Sequence, residues 1–160
     1  MAVLPILRWP DARLTTRCEP VSGDVAELAA DMLDTMYAAP GRGLAAPQVG
    51  VLLRLFVMDT TWKEGRRDPQ VCVNPEILWR SEDMATGPEG CLSLPGVTTH
   101  VARAREIDLR WSDLSGQQQT ARLTGFAAVC AQHEMDHLDG ILTLDRLSPE
   151  VRRAAEAALA

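Results

Sequence analysis

Gly125-Phe126-Ala127-Ala128-Val129-Cys130-Ala131-Gln132-His133-Glu134-Met135-Asp136-His137-Leu138 is the stretch on which the reading of this chain turns. Gly125 opens it, and Ala127, Cys130, Ala131 and Leu138 supply the buried stripe of a helix that Gly140 caps. His133 and His137 stand four residues apart, so a helix sets their rings one turn apart on one face, where both nitrogens reach a single cation. Glu134 lies beside the first ring, near enough to take a proton from water at that cation without binding the cation itself. Two imidazoles and a carboxylate at this spacing point to hydrolysis assisted by a metal ion. Ordinary surface histidines would be a coincidence in a chain that has three His in all.

A catalytic ion of this kind takes three protein ligands and keeps a fourth position for water. Cys91 is the expected third ligand. It sits in Glu89-Gly90-Cys91-Leu92-Ser93, where Gly90 permits close backbone approach, and the flanking Gly87, Pro88, Pro95 and Gly96 suggest a rigid irregular segment. Cys72 and Cys130 lie in apolar runs and read as small buried hydrophobes. His100 has no comparable company and reads as a loop or strand residue outside the site. A third segment, Gly41-Arg42-Gly43-Leu44-Ala45-Ala46-Pro47-Gln48, would alone be a plain helix-to-strand connection. Beside the other two, it offers the Gln48 amide as a donor to a developing oxyanion.

Outward from these segments the chain reads as α+β. Asp24 caps a helix carrying Val25, Leu28, Ala29, Met32, Leu33 and Met36 at helical spacing, stopped by Pro40 and Gly41. Val51 to Met58 reads as a buried strand and Val71 to Val73 as another. Ile107, Leu109 and Trp111 alternate with polar neighbours, and Ser115-Gly116 turns the chain into a second strand through Ala121 and Leu123, a hairpin. Ser148, Pro149 and Glu150 start a short, Ala-rich final helix without a catalytic role. The expected architecture is mixed, largely antiparallel sheets around a central metal-binding helix, with an N-terminal and a short C-terminal helix, all in one domain over residues 1–160.

Bulk composition agrees. A chain of 160 residues is long enough to bury an apolar core, and 46% hydrophobic and 24% charged residues are close to the globular average. A net charge of -6 argues against grip on nucleic-acid phosphates, which needs clustered Lys and Arg. Met1 to Arg13 lacks the pattern of an export signal, and Arg54 interrupts the most apolar stretch, so neither secretion nor a membrane span is expected. Cys18, Cys72, Cys91 and Cys130 are read as reduced, in a cytoplasmic setting.

Together the segments resemble the peptide deformylase family, which shows Gly-x-Gly-x-Ala-Ala-x-Gln, then Glu-Gly-Cys-x-Ser, then Gln-His-Glu-x-Asp-His. Here these stand at Gly41 to Gln48, Glu89 to Ser93 and Gln132 to His137, and the likeness runs from Ile6-Leu7-Arg8-Trp9-Pro10-Asp11 to Leu144-Asp145-Arg146. The resemblance implies a divalent ion held by Cys91, His133 and His137, Fe2+ in the cell, with Zn2+, Ni2+ or Co2+ able to replace it in preparations. It further implies Glu134 as general base and acid, and an oxyanion held by Gln48 and the Leu92 N–H. The backbone around Gly43, Glu89 and Gly90 would align the substrate, and Phe126, Val129 and Cys130 would form the methionine pocket. The implied partners are N-formyl-methionyl nascent peptides, deformylated to release formate, with a transient ribosome contact and no nucleic-acid or membrane partner.

Some positions depart from the family's pattern. Arg42 replaces an apolar residue between the two glycines and puts a cation at the mouth of the groove; Ala102 and Thr143 replace Pro and Phe. Two other readings compete. Zinc proteases share the His-Glu-x-x-His helix but take their third ligand downstream of it, where only Asp139, Asp145 and Glu150 follow nearby. A divergent deformylase-like domain could keep the metal and serve as a binding module.

Overall fold

The computed structural model describes residues 2–160. Three α-helices, α1 (Ala26–Ala38), α2 (Gly125–Leu138) and α3 (Pro149–Leu159), are combined with seven strands: β1 (Gly43–Ala45), β2 (Leu55–Met58), β3 (Gln70–Arg80), β4 (Met84–Gly90), β5 (Thr98–Ala104), β6 (Glu106–Ser112) and β7 (Gln118–Thr124). Five strands form an antiparallel sheet in the order β1-β2-β3-β6-β7, and β4 and β5 form a separate antiparallel pair. This is the α+β arrangement expected from the sequence. No helix among the described residues is long and apolar enough to cross a membrane.

α2 is the axis of the packing, touching β1, β2, β5, β6 and β7. Every residue from Cys130 to Leu138 is buried, so this part of the helix is buried around its whole circumference and not merely along a stripe, while the first turn at Gly125 and Phe126 is exposed. Cys130, Ala131, Met135 and Leu138 pack against Phe56, Cys72, Ile107 and Leu109. On the other side of β1 and β2, α1 contributes Met32 and Met36 to a cluster with Leu44, Leu55 and Val57. A smaller cluster of Leu14, Leu94, Leu142 and Leu144 seats α3 and the N-terminal segment.

Three local expectations are corrected. The strand expected from Val51 is formed only at Leu55–Met58, because residues 52–54 pair with Glu19: its N–H donates to the Leu52 carbonyl and its carbonyl accepts from the Arg54 N–H. The segment expected to be irregular around Gly87 and Pro88 is strand β4; the irregular part is confined to residues 91–97, and Pro88 is tolerated because this two-stranded sheet has free edges. The N-cap of α1 falls on Val25, although the Asp24 carboxylate still caps by accepting from the Ala26 N–H at 2.9 Å. Val71 to Val73 extends to an eleven-residue strand with a bulge after Val73. Asn74 takes φ 48° at that bulge, a conformation Asn tolerates, and its amide joins both backbone groups of Val21.

Candidate metal centre and cleft

The end of β4 and the middle of α2 meet at one point. Cys91 leaves the strand in a turn closed by the Leu94 N–H on the Cys91 carbonyl, and its Sγ lies 3.5 Å from His137 Nε2. His137 Nε2 is in turn 3.1 Å from His133 Nε2, and the three donor atoms all fall within 4.8 Å of one another. Two nitrogens bound tetrahedrally at about 2.1 Å from one ion would sit roughly 3.4 Å apart, so this spacing suits a shared small cation. A sulfur and two imidazole nitrogens, with no fourth protein donor in the cluster, make an open set that fits a divalent transition ion.

The surroundings orient these donors. His133 Nδ1–H donates to Glu89 Oε1 at 3.0 Å, which fixes the tautomer and turns Nε2 toward Cys91. Glu89 is itself gripped by Arg103 through Nε and Nη2 at 2.9 and 3.0 Å. Arg103 Nη1 reaches Asp136 at 2.6 Å, and Asp136 also accepts from Arg146 at 2.8 Å. Gln132 ties α2 to β5 by bonding both the N–H and the carbonyl of Ala104.

Electrostatics favours a cation here. Burial, with the charges of His133 and Arg103 added, holds His137 well below its ordinary pKa, so its lone pair is free for coordination. Burial also acts against protonation of His133, but Cys91, Glu89 and Glu134 together draw its pKa well above the ordinary value. The same convergence of a sulfur and carboxylate oxygens on one imidazole is attractive to a metal ion. Glu134 has its carboxyl pushed up to about 7, chiefly by burial, and Oε1 has no partner among the described residues. A buried, uncommitted carboxyl with that pKa can both accept and return a proton near neutrality.

These groups line the inner end of a cleft of about 880 Å³. Gly43, Gln48, Glu89, Gly90, Cys91, Leu92, Phe126, Val129, Cys130, His133 and Glu134 all border it, while His137 lies behind. Gly43 has a specific reason to be glycine: a Cβ there would fall onto Glu134 Oε2 and within 2.9 Å of Cys130 Sγ. Gly90 borders the cleft with no protein atom within 4 Å of where its Cβ would be, so no packing contact in the protein requires glycine at that position. Gln48 is buried with its carbonyl oxygen accepting from the Ala45 N–H at 2.9 Å. That bond points its amide nitrogen at Ser93 Oγ, 3.0 Å away, and at Cys91 Sγ, 3.8 Å away. The Leu92 N–H has no acceptor among the described residues.

The sequence-predicted residues are therefore brought together, and His100 is exposed on β5 apart from them. The Glu89 side chain is committed to His133 and Arg103, and its backbone carbonyl accepts from the Thr99 hydroxyl at 3.2 Å across the β4–β5 pair. Sequence reasoning missed Arg103 and Asp136 as the support of the ligands. Asp136 sits inside the motif, but the cation it answers to is 33 residues away, and no local spacing reveals it.

Comparisons with known proteins agree. The family model described as polypeptide deformylase matches residues 3–153. A peptide deformylase of Alkalilimnicola ehrlichii is 52% identical over 156 residues, covering 96% of this chain and 86% of that protein. One from Afipia carboxidovorans is 48% identical, covering 92% and 88%. Among solved structures, a peptide deformylase from Legionella pneumophila superposes with a TM-score of 0.93 at 41% identity, covering 99% of this chain and 94% of that one. A peptide deformylase from Ehrlichia chaffeensis, solved in complex with actinonin, gives 0.92 at 37% identity, covering 99% and 96%.

Proposed function

The chain belongs to the peptide deformylase family, and from that premise we propose how the residues around α2 carry out the reaction. The activity is hydrolysis of the N-formyl group on the N-terminal methionine of newly made polypeptides, releasing formate and a free amine. Cys91, His133 and His137 would hold the divalent ion, which when bound supplies Lewis acidity to water and to the formyl oxygen. We assign Fe2+ as that ion in the cell, supported by a thiolate-imidazole set that suits soft or borderline metals.

Glu134 is the base that takes the proton of the attacking water, and the acid that returns it to the departing amine. Its burial and its free Oε1 support both roles. As the carbonyl carbon becomes tetrahedral, charge collects on the formyl oxygen, and the Gln48 amide and the Leu92 N–H are the donors assigned to it. Ala45 keeps the Gln48 amide turned the right way, so no reorientation is needed during the reaction. β1 is the edge of its sheet and β4 has a free side, so an extended peptide fits along Gly43, Glu89 and Gly90 by strand addition. The methionine side chain then enters between Phe126, Val129 and Cys130.

Residues 1–160 are read as one catalytic domain acting in the cytoplasm, where formylated chains arise, with a passing contact at the ribosome. The observation that carries the reading is the convergence of Cys91, His133 and His137 beside an unpartnered Glu134. Anaerobically prepared, iron-loaded protein should release formate from formyl-Met peptides and leave acetyl-Met peptides and internal bonds intact. Cleavage of internal bonds would favour a protease, and metal binding without formate release would favour a binding module.

A further inference from the structure

We infer that the outer half of the cleft selects for an acidic side chain two residues beyond the methionine, with Arg42 as the specificity-determining residue. The inference rests on the deformylase reading of the inner half. Its basis is the sign of the charge that meets solvent there. Arg8, Arg42 and Lys63 all border the cleft, whereas its two carboxylates, Glu89 and Glu134, are buried, and Glu89 is neutralised by Arg103. Among the described residues Arg8 and Lys63 make no ion pair. Glu64, exposed beside the cleft, offsets one cation by binding Arg42 Nη2 at 2.8 Å. The rim is left net positive on a chain whose formal charge is -6.

Arg42 is placed to read the peptide and not merely to reach solvent. It is the neighbour of Gly43, the residue packed against Glu134, and its guanidinium lies 5.1 Å from the centre of the Phe126 ring. That stacking holds the cation over the rim of the assigned methionine pocket. The turn bearing Lys63 and Glu64 is fastened to the segment just before β1 by Trp62 Nε1 donating to the Gly41 carbonyl at 2.9 Å, next to Arg42, so these charges keep their positions relative to it. An extended peptide returns a side chain to the same face every second residue, roughly 7 Å along. The side chain two positions after methionine thus emerges on the side of Phe126 and Arg42, while the intervening one points the other way.

The test is a series of formyl-Met-Ala-Xaa peptides, with Xaa Glu, Gln or Lys, compared by kcat/KM of formate release. Pairing energies of exposed charges lead to an expected preference of about fivefold for Glu over Lys at low salt. That ratio should shrink toward one at high ionic strength. Arg42→Val should remove most of the preference, and Glu64→Gln, which frees the cation, should increase it. A ratio near one in the unaltered enzyme, a preference for Lys, or a Glu preference indifferent to both substitutions overturns the inference while leaving the deformylase reading intact. Absence of formate from every peptide would sink the deformylase reading and this inference with it.

Discussion

Arg103→Met tests whether the buried charges behind the ligands hold the site together. Arg103 is 5% exposed in its side chain and joins Glu89, 5% exposed, to Asp136, 10% exposed. Removing the guanidinium leaves Glu89 facing only His133 and Asp136 facing only Arg146, both carboxylates still out of water. Breaking a buried pair in this way costs about 3–5 kcal/mol, because the charge left behind stays desolvated. For a chain of this length that is a fall in Tm of roughly 6–20 °C. Urea unfolding of Arg103→Met should show that loss. Arg110→Ala, at the exposed Arg110–Glu76 pair, should cost no more than about 1 kcal/mol. Adding Glu89→Gln to Arg103→Met should restore part of the loss by removing one stranded charge. If Arg103→Met is as mild as Arg110→Ala, the network contributes little and the reasoning is wrong.

Three further outcomes are expected. Glu134→Ala should keep its metal by elemental analysis yet lose about 10²-fold or more in kcat, whereas Cys91→Ala should lose metal; the reverse pattern would exchange their roles. Gly43→Ala should fold normally by circular dichroism but lose activity, since the added methyl falls on Glu134 Oε2; full activity would show that this contact relaxes freely. Burial raises the Glu89 carboxyl, but hydrogen bonds from His133 and Arg103 outweigh it and hold the group below its ordinary value of 4.5. A depressed folded pKa means its stabilisation is complete above the unfolded value and is lost as pH falls through the folded one. Unfolding midpoints of the native chain should therefore drop more steeply below pH 4.5 than those of Glu89→Gln, and parallel curves would contradict this.

The metal helix was legible because its chemistry is local: two imidazoles four residues apart need only a helix to converge. Cys91 was legible from its glycine-flanked setting and the family resemblance. What could not be read were contacts between distant segments. Glu19 captures Leu52 and Arg54 and shortens the expected strand, a choice made by the N-terminal segment and not by the propensity of Val51 to Met58. Asn74 lengthens β3 past Pro75 by accepting a left-handed bulge that Val21 secures. Arg103 finds its acids 14 and 33 residues away, and only the fold brings them together.

The separation of β4 and β5 from the larger sheet gives the proposed ion a mechanical duty as well as a chemical one. Cys91 belongs to the hairpin's end and both imidazoles to the central helix, and the chain has no disulfide among its free cysteines. A bound cation would bolt the hairpin to the body, closing a loop of roughly 40 residues and removing that loop's freedom from the unfolded ensemble. Chelation would then do more than silence turnover: it would leave that wall of the groove held to the helix by Gln132, Arg103 and Glu89 alone, and oxidising the single thiol would pull the same bolt.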